Sequence, residues 1–240
     1  MLQMEFSHDK ANEVIKDLDT LFTKLLEDLI KEIIYFMGNF DQHEYQQPIS
    51  QDNLVIGMNG VRTNLDSLNY TIEKLIIELL DVKLTKVEEH LTDVYLNIFD
   101  NQDTLVPALS NKWCGTNFRD VLIEGTRQYI HKIKKEINAG LLRGDSKKQI
   151  KSIVTKLIGS FNKKVNTIVS TETTYITNQA TLDKASKEGY TKVRINEILD
   201  KRTCGFCKSK DGEILPLKDV KFGVNAPPFH PYCRGFVEFI

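Results

Sequence analysis

From Val14 onward, apolar residues recur at three- and four-residue steps: Val14, Ile15, Leu18, Leu21, Phe22, Leu25, Leu26, Leu29, Ile30, Ile33 and Ile34. That spacing predicts a helix with a broad apolar face, which another helix must cover. A polar stretch from Gly38 to Asn53, broken by Pro48, leads to a second periodic segment starting near Val61. It runs through Leu65, Leu68, Ile72, Leu75 and Leu79, then shifts phase to Leu80, Leu84, Val87, Leu91, Val94 and Ile98. Seven-residue spacing on either side of a stutter predicts a long helix, or two in tandem, packed antiparallel on the first. Such a pair serves as an interaction or spacer module, or as an ordinary bundle core.

Asp100 to Lys112 reads as a linker containing Pro107, with few periodic apolar positions. Trp113-Cys114-Gly115-Thr116 then reads as a turn, with Thr116 or Asn117 as N-cap for a helix through Val121, Leu122, Tyr129, Ile130, Ile133 and Ile137. Gly144 suits a helix C-terminus, and Asp145 or Ser146 can cap the next helix, through Ile150, Ile153, Val154 and Leu157. A further helix is expected from about Phe161 to Lys187, ended by Gly189. The alternation of Tyr190, Lys192 and Arg194 with Thr191, Val193 and Ile195 predicts a strand. Glu213–Leu215 and Phe236–Ile240 are the other short strands of a small sheet.

That strand feeds into the chain's densest chemistry. Cys204, Cys207, His230 and Cys233 form C-x2-C-x22-H-x2-C, and three of the four cysteines lie there. Two knuckles of two ligands close a tetrahedral zinc site of three thiolates and one imidazole, a structural set with no open position. Arg202, Lys208 and Lys210 around the first knuckle are expected to favour thiolate, and Pro228 and Pro231 stiffen the second. A redox C-x-x-C is the competing reading. It needs the pair at the start of a helix in a βαβ unit, whereas Lys208-Ser209-Lys210-Asp211-Gly212 reads as a turn. Cys114 stands apart and reads as a buried small hydrophobe. Zinc would staple a sheet too poor in apolar residues to hold alone.

The net charge of −1 hides a division. Residues 1–110 carry 8 basic and 20 acidic groups, while 111–240 carry 24 and 13. The expected domains are thus an acidic, coiled-coil-like helical arm over 1–110 and a basic domain over 111–240. The acidic segment repels nucleic acid and suits basic protein surfaces; the basic one tolerates phosphate backbones, and the two halves also attract each other. No apolar run approaches the roughly 20 residues of a bilayer span. Met1 to Lys10 lacks a signal-peptide pattern, so synthesis in a cytoplasm with reduced thiols is expected.

Trp-x-Gly…Phe, Gly-Asp-Ser at a helix junction, Ser-Thr-Glu-Thr with Asn178 and Gln179 downstream, and Asp-Lys-Arg-Thr-Cys-x-x-Cys…Asp-Gly…Pro-Pro-Phe-His-Pro-x-Cys-Arg follow in order. Together they resemble the phage minor head protein family, the Mu F-like head-morphogenesis domain of tailed bacteriophages, over about Trp113 to Arg234. The resemblance implies a structural virion protein of the head interior or portal region, made in the host cytoplasm. Its partners would be the portal and other head proteins and, in some members, packaged DNA, with roles in capsid assembly, DNA packaging or ejection. Oligomerisation through the N-terminal helices is a further expectation. It also implies a recurrent core of Glu172, Asp200, Arg202, Thr203, Cys204, Cys207, Asp211, Gly212, Pro228, His230, Pro231, Cys233 and Arg234. The family's basic residue before Thr-Glu is Ser170 here, and the position after Cys-Arg, often a cysteine or small polar residue, is Gly235.

Asp200, Arg202 and Arg234 are placed to orient the ligands, and Gly212 after Asp211 suits a hairpin turn with positive φ. Glu172, mid-helix between threonines, has no single role assigned. The rival class is a zinc-containing DNA-binding or nuclease-like protein. The histidines, at 8, 43, 90, 131 and 230, include no adjacent pair, and G-x-S-x-G, phosphate-loop and H-E-x-x-H motifs are missing. No catalysis is expected, nor an appended enzymatic domain after Ile240. The expected fold is mostly α, with long antiparallel N-terminal helices and a small C-terminal α+β element stapled by zinc.

Overall fold

The computed structural model of the protein describes residues 2–40, 51–111 and 115–240, with side chains placed for 7–37, 65–111 and 115–240. Pro48, Trp113 and Cys114, with the breaker, turn and buried thiol expected there, lie outside the described residues. Five helices lead: α1 (Leu2–Phe40), α2 (Gln51–Ile98), α3 (Gln102–Ser110), α4 (Phe118–Arg143) and α5 (Lys147–Lys187). Strand β1 (Lys192–Asn196), the short helix α6 (Gly205–Lys210), β2 (Ile214–Pro216) and β3 (Phe236–Phe239) follow. The fold is mostly α with a small C-terminal sheet, as the periodicity implies.

Helix α2 starts at Gln51, ten residues before the expected Val61, and is one helix rather than two. Its buried positions Leu65, Leu68, Ile72, Ile76, Leu79, Lys83, Val87, Leu91, Val94 and Ile98 step by three or four without a break. The phase shift expected after Leu79 is therefore absent; Leu75, Leu80 and Leu84 are only half-buried. Lys83, 1% exposed, holds the stripe position between Leu79 and Val87. A lysine stem packs like an apolar side chain, so a pattern that counts only apolar residues slips there.

The expected linker from Asp100 to Lys112 is largely helix α3. Asn101 caps it by accepting from the Asp103 amide at 3.0 Å, and Leu105 and Ala108 are its buried residues. Pro107 lies inside it, which is tolerable because a single short helix forgoes only one backbone bond there. Asn117 caps α4: its Oδ1 accepts from the Arg119 amide at 2.9 Å while its Nδ2 donates to Leu109 O at 2.8 Å. After Gly144, at φ +75°, Ser146 and Gln149 exchange bonds as a capping box that opens α5. Helix α5 then runs 41 residues without the break expected near Phe161.

The chain forms two compact units. The first comprises Met1–Asp17, Lys83–Leu122 and Lys164–Ile240; the second comprises Leu18–Val82 and Ile123–Lys163. Each takes residues from both sides of position 110. The beginning of α1 falls with the end of α2, and the remainders of both fall together, as an antiparallel pair requires. In the second unit, Phe161 meets Phe22 edge-on at 5.3 Å and Tyr129 at 4.6 Å, and Asn162 Nδ2 donates to Asp19 Oδ1 at 2.6 Å.

In the first unit, the antiparallel sheet has the order β2-β1-β3, with Val193 opposite Leu215 and Phe239. Val193, Ala226 and Val237 form its small core, covered by Leu182, Leu215, Phe222 and Phe239. Tyr95 joins α2 to α3 and α5 through Thr104 Oγ1 at 2.7 Å and Asp183 Oδ2 at 2.6 Å. Thr173 donates to Val169 O, so the buried His90 Nε2–H donates to Thr173 Oγ1 at 2.8 Å.

Burial pushes the His90 pKa down to about 4, against Asp93, which acts upward, and with Lys10, which acts downward. The unfolded chain, with an ordinary histidine pKa near 6.5, then binds the extra proton first. Stability is expected to fall as pH drops from about 6.5 to about 4, by up to roughly 3 kcal/mol. Urea unfolding across that range in the wild type and His90→Gln checks it; equal slopes would remove His90 as the source.

Candidate metal centre

The first knuckle grows out of β1. Beyond Asn196, Asp200 folds a tight turn in which its Oδ1 accepts from the Arg202 amide at 2.8 Å and its own amide donates to Thr203 Oγ1 at 3.1 Å. Thr203 Oγ1 also donates to Ile198 O. Cys204 is the N-cap of α6, its sulfur accepting from the Cys207 amide at 3.4 Å. The residues expected to form a turn at Lys208 to Lys210 are thus helical, and the C-x-x-C pair does stand at a helix start. Its setting is nonetheless an antiparallel sheet with an imidazole and a third thiol alongside, rather than βαβ. Gly212, at φ +79°, returns the chain to β1 through its amide and Ile195 O at 2.8 Å.

The second knuckle is suspended from α5. Thr171 Oγ1 accepts from the Tyr232 amide at 3.1 Å, and Thr174 Oγ1 donates to Cys233 O at 2.8 Å. Asn178 Nδ2 donates to Pro227 O and Gly235 O, both at 3.1 Å, and its Oδ1 accepts from the Val237 amide at 2.9 Å. Tyr232 takes φ +60°, and the Cys233 amide donates to His230 O at 3.0 Å, closing the H-x2-C turn.

These two loops bring the four ligand-type residues together. His230 Nε2 lies 3.4 Å from Cys204 Sγ and 3.1 Å from Cys207 Sγ, and Cys207 Sγ lies 3.9 Å from Cys233 Sγ. Tetrahedral zinc with ordinary bond lengths separates sulfur from sulfur by about 3.8 Å and sulfur from nitrogen by about 3.6 Å. The Cys207–Cys233 and Cys204–His230 separations are close to those values, whereas Cys233 does not lie within 4.8 Å of both Cys204 and His230. His230 Nδ1 lies 2.8 Å from Pro231 O, which can only accept, so the proton sits on Nδ1 and Nε2 presents its lone pair. Two overlapping groups can hold a metal, Cys204–Cys207–His230 and Glu197–Cys207–Cys233, and they share Cys207.

The Cys207 amide and side chain, then His230, lower the exposed Cys204 thiol to about 7. The surrounding lysines and arginine, expected to do this, are not the cause; Lys210 pairs with Glu213 at 2.7 Å. Burial pushes the Cys207 and Cys233 thiols up, so a cation must displace their protons.

The remaining expected residues divide by role. Arg234 grips Asp200 with both terminal nitrogens, at 2.8 and 2.5 Å, and so ties the second knuckle to the first. Arg202 contributes its amide to Asp200 and leaves its side chain largely in solvent, its Nε 3.5 Å from Asp200 Oδ2. Asp211 Oδ1 accepts from the Glu197 amide at 2.8 Å. Glu172 is half-buried midway along α5 and belongs to neither metal-capable group. Sequence reasoning missed Glu197 and the anchoring roles of Thr171, Thr174 and Asn178. Glu197 had a signal: the inward alternation Val193, Ile195 continues onto it, and all three are buried.

The family model described as Phage Mu protein F like protein matches residues 131–238. The match contains all four Cys and His residues and the α5 anchors, and begins later than the expected Trp113. No curated protein and no solved structure matches the chain. Among the described residues, no helix is long and apolar enough to cross a membrane.

Asn178→Ala is expected to leave three backbone groups unpaired and cost about 2–4 kcal/mol in urea unfolding; a loss below 1 kcal/mol, as for an ordinary surface change, would show that water replaces the amide. The Arg234 guanidinium holds the Asp200 carboxyl well below the usual range. Its stabilisation is present above the unfolded carboxyl pKa, near 3.9, and is lost as pH falls below it. Asp200→Asn should therefore flatten the acid limb of the stability profile, and an unchanged limb would assign it to other carboxylates.

Proposed function

Because residues 131–238 carry a Phage Mu protein F like domain, we propose that the protein is a minor head protein of a tailed bacteriophage. It acts in head morphogenesis by contact rather than catalysis, in association with the portal and within the virion head. The family match is the observation that carries this reading. The donor set supports a structural zinc: three thiols and an imidazole whose Nε2 faces two of them lie in two overlapping groups that share Cys207, and the Asp200–Arg234 pair ties the two loops together.

The ion would join two loops that few apolar residues cover, so its binding energy is folding energy for this part of the chain. Helices α1 and α2 turn Asp9, Glu13 and Glu89 to solvent in one unit and Glu27, Glu32 and Asp81 in the other, and either acidic set suits a basic face of the portal or another head protein. A second reading rests on α5, where Lys147, Lys148, Lys151, Lys156, Lys163 and Lys164 are exposed. Those lysines suit the backbone of packaged DNA, in packaging or ejection.

Two measurements test these readings. Quantitative mass spectrometry of gradient-purified particles, made with the neighbouring phage genes expressed, should find a few copies per head; absence from both procapsids and mature particles would reject the role. The full chain should bind one zinc, and Cys233→Ser should release it and lower the unfolding temperature. Unchanged unfolding in Cys233→Ser would show that no structural ion is held there. DNA affinity that collapses with added salt would favour the second reading.

A further inference from the structure

Glu197 lies one step past β1, on the inward face of Val193 and Ile195, and is 9% exposed. A glutamate so deeply buried ordinarily has a cation or donors at its head. Here the backbone amide is engaged by Asp211, but the side-chain Oε1 is buried without a hydrogen-bond partner. Arg234, the neighbouring guanidinium, gives both terminal nitrogens to Asp200. A carboxylate oxygen of Glu197 lies within 4.8 Å of both Cys207 Sγ and Cys233 Sγ, which are themselves buried. Two sulfurs and one oxygen therefore form a buried group that shares Cys207 with the more exposed group of Cys204 and His230.

The backbone leaves room for this approach. A β-carbon on Gly235 would overlap the Glu197 carboxylate and stand 2.9 Å from Pro227 Cβ. A side chain at 235 would push the carboxylate out of the place it holds, and Asn178, holding Gly235 O, fixes that strand of backbone.

We infer that Glu197 is a further ligand of the metal, an oxygen donor on the buried side that acts with Cys207 and Cys233. The inference rests on the metal reading above. The centre is then not a pure set of three sulfurs and one nitrogen: His230 and Glu197 both supply light-atom donors, and the buried carboxylate receives the cation that its burial demands.

The test uses the full chain, stripped with a chelator and reloaded with zinc or cobalt(II). X-ray absorption of the zinc-loaded wild type should require two light-atom ligands beside sulfur. Glu197→Gln should weaken zinc binding about ten- to a hundredfold and change the cobalt(II) ligand-field bands. Gly235→Ala, which keeps the carboxylate but fills its place, should reproduce both changes. Zinc uptake by the wild type with a single light-atom ligand, or with cobalt bands unaltered in Glu197→Gln, would overturn the role of Glu197 while leaving the metal reading intact. Weakened affinity with unaltered bands would likewise place the carboxylate outside the coordination sphere. A wild type that takes up neither metal would overturn both.

Discussion

Three side chains on one face of α5 carry the backbone of the ligand loop. Thr171, Thr174 and Asn178 hold Tyr232, Cys233, Pro227, Gly235 and Val237, and all three anchors are buried. A loop containing Pro227, Pro228 and Pro231 has few amides with which to build its own ladder, yet its buried carbonyls must be satisfied. Helix side chains do that here. The position of His230 and Cys233 thus follows from a helix that contributes no ligand itself, and so does the left-handed backbone at Tyr232.

Once that loop is fixed, the other contacts become explicable. The Asp200–Arg234 pair crosses between the knuckles with bidentate geometry and also organises the turn before Cys204. The sheet core of Val193, Ala226 and Val237 is small, so the anchoring of the loop to α5 supplies stability that apolar burial does not. Burial raises the Cys207 and Cys233 thiols while the exposed Cys204 is lowered, so the protons a metal must displace lie mostly on the inner sulfurs.

Charge is distributed by chain position, but compactness is not. Residues 1–17 and 83–110 fall in the same unit as the knuckles. Acidic residues of α1 and α2 face water because their apolar stripes are consumed in packing, while α5 carries exposed lysines. Exposed charges of both signs therefore sit on helices whose apolar stripes build the cores, as ordinary amphipathic packing requires.

Local chemistry determined a good deal from sequence alone. The strands around Val193, Leu215 and Val237, the Asn117 and Ser146 caps, the glycine turns at 144 and 212 and the two-residue gap within each of the pairs Cys204–Cys207 and His230–Cys233 all depend on residues within a few positions of one another. Pro107 inside α3, the unbroken α5, and Lys83 on a buried stripe escaped that reading, because tertiary packing outweighs propensity there. Only the tertiary structure decided that Glu197 faces Cys207 and Cys233, that Gly235 makes room for it, and that Asp200 pairs with Arg234. Those partners are separated by up to 38 residues, and no local period or motif encodes a distance closed by the folding of two loops onto one helix.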